Sequence, residues 1–169
     1  MTVIYFAGPD VFRPDYAQHS QKVRGLCARY GLTPLLPDES HALDSPGIFQ
    51  KNLDLILQAD GVIANLNPFR GAVEPDSGTV FECGFAFARG KSVVGILADR
   101  RDLTAKLLEF GAARHPETGR LIHDGWLVED FGLPLNLMLS HCLSALVGSL
   151  EEAVAAVPPP GRPDCRPIG

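Results

Sequence analysis

Two carboxylates six residues apart, Asp76 and Glu82, are the residues of this sequence best suited to chemistry. They lie in the segment EPDSGTVFECG, where a loop rich in Pro and Gly gives way to a helical pattern. Gly71 and Gly78 would let a substrate approach the backbone closely, and the N-terminal end of a helix should keep Glu82 ionised near neutral pH. An ionised carboxylate in a partly dry pocket can attack the anomeric carbon of a sugar and form a covalent intermediate, while a second group assists the leaving group.

The same residues also have a purely structural interpretation. Thr79 and Glu82 have the spacing of a capping box, in which Glu82 would bond to a backbone N–H group and begin the helix. Asp76, in a Pro-Asp-Ser-Gly turn, would then be an Asx-turn residue. At this level both interpretations stay open.

The elements that must position these residues alternate between strand and helix. Apolar runs predict strands at 3–7, 33–36, 61–66, 92–97 and 143–147, and helical patterns predict helices at 15–30, 46–58, 78–89, 103–110 and 150–157. This order predicts a single α/β domain over residues 1–158, with a doubly wound parallel sheet of about five strands. The segment after the 103–110 helix predicts a loop or lid up to residue 130, followed by a short apolar helix in FGLPLNLMLS. The Pro-rich tail 159–169 is expected to be disordered.

Ligands of an open parallel sheet bind beyond the carboxyl ends of its strands, where the strand order reverses. The loops at 8–13 and 65–79 follow two of the predicted strands, which makes them the candidate binding loops. The first of them, AGPDVF, lacks the GxGxxG pattern, and GxxxxGK[ST] occurs nowhere in the sequence. The motifs of dinucleotide-binding and P-loop proteins are therefore missing.

Composition narrows the classes of partner. A chain of 169 residues with 46% hydrophobic and 21% charged residues contains the core material of one domain. A formal charge of −5 and no basic cluster with interleaved aromatics argue against a nucleic acid polymer as partner. The N-terminus lacks a basic n-region, and no apolar run reaches the length of a membrane span, so we expect a soluble, cytoplasmic protein. The four cysteines form no CxxC pair, which disfavours a zinc or redox site.

Five blocks of the sequence together resemble the nucleoside 2-deoxyribosyltransferases, especially the subgroup that carries an NPFRG loop. In chain order they are IYFAGPDVF, QKNLDLI, NPFRG, EPDSGTVFECGFAFARGK and GFGLPLNLML. The resemblance runs from Ile4 to about Val157. It implies a flavodoxin-like fold, no cofactor or metal, and a ping-pong exchange of the base of 2′-deoxynucleosides through a 2-deoxyribosyl-glutamate. By this resemblance Glu82 is the nucleophile.

The resemblance also implies roles for other residues. Tyr5 would orient the nucleophile by a hydrogen bond and Asp76 would hold the sugar hydroxyls, which makes these two residues catalytic together with Glu82. The substrate-binding positions implied are Gly8, Phe12, Asn52, Arg70, Gly78, Asn136 and Met138.

Within that set, Phe12 would stack on the base, and Arg70 would orient its loop or the substrate. Asn136 and Met138 would come from a neighbouring subunit, which implies a homo-oligomer. Each also has a structural alternative: core packing for Phe12 and Met138, a solvated loop for Arg70 and a helix start for Asn136.

The family resemblance leaves the proton of the departing base without a source. Some family members carry an aspartate where this chain has Asn52, and an amide cannot act as a general acid at neutral pH. Asp54, a water molecule or direct protonation from solvent are the alternatives. Asn65, where related sequences often have an acid, bears on the base preference.

The sequence therefore predicts an enzyme of nucleoside salvage that acts on deoxynucleosides and free nucleobases, with slow hydrolysis as a side reaction. One alternative is an N-glycosidase that hydrolyses deoxynucleosides or their 5′-monophosphates. Another, of a different class, is a nucleotide-sensing binding module, which would keep the pocket but would not need Glu82.

Overall fold

The computed structural model of the chain describes residues 1–37, 44–71 and 73–158. The strands within these residues are β1 Thr2–Ala7, β2 Leu32–Leu35, β3 Gly61–Asn65, β4 Ser92–Ile96, β5 Ala113–Arg114, β6 Leu121–His123, β7 Trp126–Leu127 and β8 Ala145–Val147. The α-helices are α1 Tyr16–Arg29, α2 Ser45–Gln58, α3 Ser77–Ala88, α4 Leu103–Glu109, α5 Leu137–Cys142 and α6 Leu150–Ala155. A 3-10 turn, Pro9–Phe12, follows β1 directly.

Five strands form the central sheet, in the order β2-β1-β3-β4-β8. Every neighbouring pair is parallel, and the register aligns Tyr5 with Val62 and Ala64 with Gly95. The inner strands are continuous apolar runs because both faces of the sheet are covered by helices. The predicted five-stranded parallel α/β sheet is confirmed, and the strand order reverses between β1 and β3, where ligands of such sheets bind.

Alternation along β1 divides the core into two parts. Tyr5 lies on the face covered by α2, α3 and α5, whereas Phe6 lies on the face covered by α1 and α6. The first face packs mainly Tyr5, Ala7, Ile56, Val62, Cys83, Ala86 and Leu139. The second packs mainly Ile4, Phe6, Val23, Leu26, Ile63 and Val154.

The segment predicted as a loop or lid is a folded unit, so that part of the prediction was wrong. Strands β5, β6 and β7 form a three-stranded antiparallel sheet. Asp124 and Gly125 join β6 to β7, both with positive φ, as a tight hairpin turn requires. The sheet packs against α4 through Leu103, Leu107, Ala112 and Leu121, and this cluster also holds Val73 from the loop before α3. We call residues 98–134 the appended unit.

None of the helices in the described residues is long and apolar enough to cross a membrane. The tail predicted to be disordered, 159–169, lies outside the described residues.

Candidate active site

Tyr5 and Glu82 form the centre of the candidate site. The Tyr5 hydroxyl donates a hydrogen bond of 2.7 Å to Oε1 of Glu82. Tyr5 is fully buried in the middle of β1, and Glu82 lies half-buried in the second turn of α3. The bond therefore connects the core of the sheet to a carboxylate that still reaches its surface.

The positions of both residues follow from their elements. Tyr5 alternates with Phe6 on β1, so its ring points towards α3. On α3, Thr79, Cys83 and Ala86 are buried at helical spacing and fix the face that the helix turns to the sheet. Glu82 precedes Cys83 and therefore lies at the edge of that face.

The start of α3 excludes the structural alternative in which Thr79 and Glu82 form a capping box. Asp76 is the N-cap: its Oδ2 accepts hydrogen bonds from the backbone N–H of Thr79 at 2.9 Å and from the Thr79 hydroxyl at 3.0 Å. Two good capping residues lie three positions apart, and the first of them begins the helix. Glu82 is consequently too far along the helix to act as a cap, and its carboxylate bonds to Tyr5 instead.

The absence of a side chain at Gly78 leaves the space that the Asp76 side chain occupies as the N-cap. A Cβ atom at Gly78 would lie 3.0 Å from Oδ2 of Asp76, which is tighter than an ordinary contact. The structure thus gives a local reason for a glycine at position 78, which is separate from the predicted contact of Gly78 with substrate.

The protonation state of Glu82 differs from the sequence-based expectation. Burial raises the pKa of Glu82 to about 7; the hydrogen bond from Tyr5 opposes this rise, and the negative charge of Asp76 adds to it. The prediction that the helix N-terminus keeps Glu82 ionised near neutral pH was wrong for the single chain, because desolvation of the carboxylate raises its pKa into that range. Burial, followed by the charge of Glu82, raises the pKa of Tyr5 far above its ordinary value, so Tyr5 stays a neutral donor.

An aromatic pair lies where the first loop meets the loop after β3. The rings of Phe12 and Phe69 are stacked with centroids 5.7 Å apart. The guanidinium of Arg70 lies 4.5 Å from the Phe69 ring centroid and 5.2 Å from that of Phe12, a cation–π arrangement. Arg70 has φ 56, a left-handed conformation that is uncommon for a residue with a side chain. Phe12 is 62% exposed and hence is not the core aromatic of the structural alternative.

Polar side chains connect the first loop to the end of β3. Asn65 donates a hydrogen bond of 2.8 Å to Asp10, and its oxygen accepts from the backbone and side chain of Asn67. Gly8 lies against this network, since a Cβ there would be 2.9 Å from the Cβ of Asn65. Asn65 thus supports the loop geometry around Gly8.

Asn52 and Asp54, the two residues of α2 considered for contact with the base or for its protonation, differ in their surroundings. Asn52 is half-buried, one helical turn after Phe49, whose ring packs 5.8 Å from that of Phe81 on α3. Asp54 is exposed and accepts a hydrogen bond of 2.9 Å from Gln50. Asn52 therefore lies on the side of α2 that contacts α3, whereas Asp54 faces solvent.

Asn136 and Met138 lie at the N-terminal end of α5. Asn136 is the N-cap, and its Oδ1 accepts a hydrogen bond of 2.9 Å from the backbone N–H of Met138. The Asn136 side-chain amide also donates to Glu129. Met138 is 75% exposed, so it is not a core methionine. Among the residues that the structure describes, no hydrogen bond joins Asn136 or Met138 to Tyr5 or Glu82.

A cavity of about 750 Å³ lies on the other face of the sheet. Phe6, Ile63 and Ile96 line it, together with Gly8 of the first loop and charged residues of α1. Size alone would favour this cavity as the ligand site. Tyr5 and Glu82 lie on the opposite face, and it is there that a carboxylate is desolvated and held, which is the stronger indication of chemistry.

Two residues that contact predicted site residues were missed by the sequence reasoning. Phe69 could have been found, because it is the aromatic residue beside Arg70 in the NPFRG loop. Glu129 could not, because nothing in its surrounding sequence distinguishes it from a solvent-exposed acid.

Together, the fold and the site define a flavodoxin-like α/β protein with a carboxylate held by a buried tyrosine. A family model described as nucleoside 2-deoxyribosyltransferase matches residues 4–138. The chain therefore belongs to the nucleoside 2-deoxyribosyltransferase family, which is a family of enzymes.

Several individual proteins are similar to this chain. A 2-desoxiribosyltransferase from Leishmania mexicana is similar in structure, with 38% sequence identity, a TM-score of 0.79, and coverage of 92% of this chain and 95% of that one. A conserved protein from Enterococcus faecalis V583 shares the fold, with 23% identity, a TM-score of 0.59, and coverage of 92% and 98% of the two chains. An uncharacterized protein of Schizosaccharomyces pombe is 30% identical over 116 residues, which are 63% of this chain and 55% of that protein. This chain thus spans about half the length of that curated relative.

Proposed function

We propose that this chain transfers the 2-deoxyribosyl group between nucleobases through a covalent intermediate on Glu82, as part of nucleoside salvage. The observation that carries the proposal is the 2.7 Å hydrogen bond from the buried hydroxyl of Tyr5 to Oε1 of Glu82. That bond fixes the carboxylate, and Oε2 becomes the oxygen that attacks. The similarity to the Leishmania mexicana enzyme over 92% of this chain supports the same activity here.

In the first step Oε2 of Glu82 attacks the anomeric carbon of a 2′-deoxynucleoside. A carbon–oxygen bond forms while the bond from that carbon to the base nitrogen breaks. The electron pair of the broken bond stays on the base, which takes up a proton and leaves. Asp76 accepts hydrogen bonds from the sugar hydroxyl groups and so keeps the ring aligned. Deoxyribosides are the easier substrates because a 2′-hydroxyl would withdraw electrons from the oxocarbenium-like transition state.

In the second step a nitrogen of an acceptor base attacks the same carbon. The carbon–oxygen bond breaks, its electron pair returns to Glu82, and the incoming base loses a proton. Water in place of the acceptor base gives free deoxyribose, which accounts for a slow hydrolytic side reaction. These bonds and protons balance without a cofactor.

Only the ionised form of Glu82 can attack. Because burial raises its pKa to about 7, a large fraction of the empty site is protonated at neutral pH. Asn52 has no acidic proton to give, and Asp54 faces solvent, so we assign the proton of the leaving base to water or solvent.

We further propose that Asn136 and Met138 complete the site of a neighbouring copy of this chain. Both are exposed at one end of α5 in the single chain. Apolar side chains that are also exposed, Phe49 at 52% and Phe81 at 51%, lie on α2 and α3 beside Asn52 and Glu82. A second chain on this face would bury them and bring its α5 towards the carboxylate.

The direct test is incubation with deoxyinosine and free adenine, followed by chromatography of the products. Transfer gives deoxyadenosine and hypoxanthine. If hypoxanthine and free deoxyribose are the sole products, the proposal of a transferase is wrong and the N-glycosidase alternative is supported. Binding without any turnover would instead support a nucleotide-sensing module.

Two further experiments test the intermediate and the shared site. A fluorinated deoxynucleoside analogue should trap one deoxyribosyl group on the Glu82 peptide, detectable as a mass shift that Glu82→Ala abolishes. Mixing inactive Glu82→Ala with impaired Asn136→Ala should give more activity than Asn136→Ala alone if the subunits exchange. No recovery, despite exchange shown by mass spectrometry of tagged chains, would rule out the shared site.

A further inference from the structure

Glu129 holds the start of α5 with both oxygens of its carboxylate. Oε1 accepts a hydrogen bond of 2.8 Å from the backbone N–H of Leu137, and Oε2 accepts one of 3.2 Å from Nδ2 of Asn136. The oxygen of Asn136 is engaged at the same time by the N–H of Met138. The two ends of the Asn136 amide are therefore fixed by two different partners.

This arrangement exceeds what a helix cap needs. A serine or aspartate would cap α5 equally well, and neither requires a carboxylate beside it. An exposed amide normally turns freely, yet Glu129 bonds to the nitrogen of Asn136 and thereby fixes which side of the amide faces outward. Nδ2 carries two hydrogens, and Glu129 takes one of them.

Glu129 is itself held in place by the appended unit. Val128, the preceding residue, packs against the α4 cluster, and its N–H bonds to the carbonyl of Leu121 at 2.9 Å. Between Glu129 and Asn136, the carbonyls of Leu133 and Pro134 accept hydrogen bonds from the backbone of Leu103 at 2.8 Å and from the buried Lys106 side chain at 2.6 Å. The chain on both sides of the Glu129–Asn136 bond is thus attached to α4.

We propose that Glu129 is a positioning residue: it orients Asn136 so that the second hydrogen of Nδ2 is presented to the sugar bound at Glu82 of a neighbouring copy. This inference rests on the proposed function, in which Asn136 reaches that sugar. Glu129 acts through Asn136 alone and does not touch the substrate.

The decisive variant is Glu129→Gln in the full-length chain. Glutamine keeps the shape of the side chain but has an NH2 donor in place of one of the two carboxylate oxygens, so at either Leu137 or Asn136 a donor would face a donor. We expect kcat/KM for base exchange to fall about tenfold, the effect of one misplaced hydrogen bond. Glu117→Gln makes the same chemical change at an exposed residue of the appended unit and should leave kcat/KM unchanged.

A double-mutant cycle separates positioning from general damage. In an Asn136→Ala background, Glu129→Gln should cause no further loss of kcat/KM. Losses that multiply would show that Glu129 acts by another route and would overturn the proposal. If Asn136→Ala is impaired while Glu129→Gln is fully active, the positioning role of Glu129 is overturned, but the proposal of a shared site is not.

A readout that does not depend on activity completes the test. The side-chain amide resonances of Asn136, measured by nitrogen-15 NMR, should shift in Glu129→Gln and stay in place in Glu117→Gln. Unshifted resonances would overturn the orientation by Glu129 whatever reaction the protein catalyses. Full activity of Asn136→Ala would overturn the shared site of the proposed function and, with it, the reason for positioning Asn136.

Discussion

The two faces of the central sheet offer a ligand very different surroundings. The α1 face has the large cavity, and its charged side chains are compensated in pairs, as Arg13 is by Asp15 at 3.0 Å and Lys22 by Glu151 at 3.2 Å. The α3 face holds Glu82 against Tyr5, and burial there raises the pKa of that acid to about 7. The two faces therefore differ in kind: one has a cavity with paired charges, and the other has a desolvated carboxylate, which is the stronger indication of chemistry.

The strongest test of the comparison is Glu82→Gln, which keeps the size of the side chain and removes the nucleophile. We expect the rate of base exchange to fall at least about 10⁴-fold, because no other group takes over the covalent step. The rate is measured by chromatography with deoxyinosine and adenine. Activity within about tenfold of the unchanged protein would show that the α3 face is not the reactive side.

Asp76→Asn should have the next largest effect. Asparagine still accepts the hydrogen bond from the N–H of Thr79, so α3 keeps its cap, but the charged acceptor for the sugar is lost, and we expect kcat/KM to fall about 100-fold. The negative charge of Asp76 raises the pKa of Glu82. The acid limb of the kcat/KM–pH profile, which rises as Glu82 ionises, should therefore move to lower pH.

Tyr5→Phe should reduce kcat/KM about tenfold, because one hydrogen bond to the carboxylate is lost. Its effect on the pH profile has the opposite sign. The bond from Tyr5 lowers the pKa of Glu82, so without it the acid limb should move to higher pH. The kcat/KM–pH profiles of this variant and of Asp76→Asn, measured over about pH 5 to 9, form a matched pair. Shifts in the same direction would contradict the roles assigned to Tyr5 and Asp76 in setting the pKa of Glu82.

The smallest effect is expected on the other face. Lys22→Ala removes an exposed ion pair with Glu151 that lines the large cavity. We expect kcat/KM to change by less than about twofold and the free energy of unfolding by less than about 1 kcal/mol. Urea titration and the base-exchange assay measure these two quantities. A large loss of activity with unchanged stability would mean that substrate also occupies the α1 face.

The fold could largely be predicted from the sequence because its main strands are continuous apolar runs separated by amphipathic helices. The small antiparallel sheet could not, since β5, β6 and β7 have two or three residues each, too few to show an alternating pattern. The Asp124–Gly125 dipeptide was the available sign of a hairpin.

The residue types of the candidate site could be predicted from the sequence. The hydrogen bonds and pKa values of those residues could be predicted less well. The sequence placed Glu82 near the start of α3, but which of two capping residues began that helix was decided by local hydrogen bonding at Asp76. The raised pKa of Glu82 comes from burial by residues distant in the chain, and no local pattern encodes it. Glu129 was missed for the same reason, because its importance comes from a contact with Asn136.

The hydrogen bond between Tyr5 and Glu82 connects residues 77 positions apart in the chain. The β6–β7 hairpin closes locally and is expected to form within microseconds, whereas the parallel pairing of β1 with β3 must first bring distant segments together. The Tyr5–Glu82 hydrogen bond consequently exists only after the central sheet has assembled. In partly folded chains we expect Glu82 to be an ordinary solvated acid, so the return of activity during refolding should measure completion of the sheet.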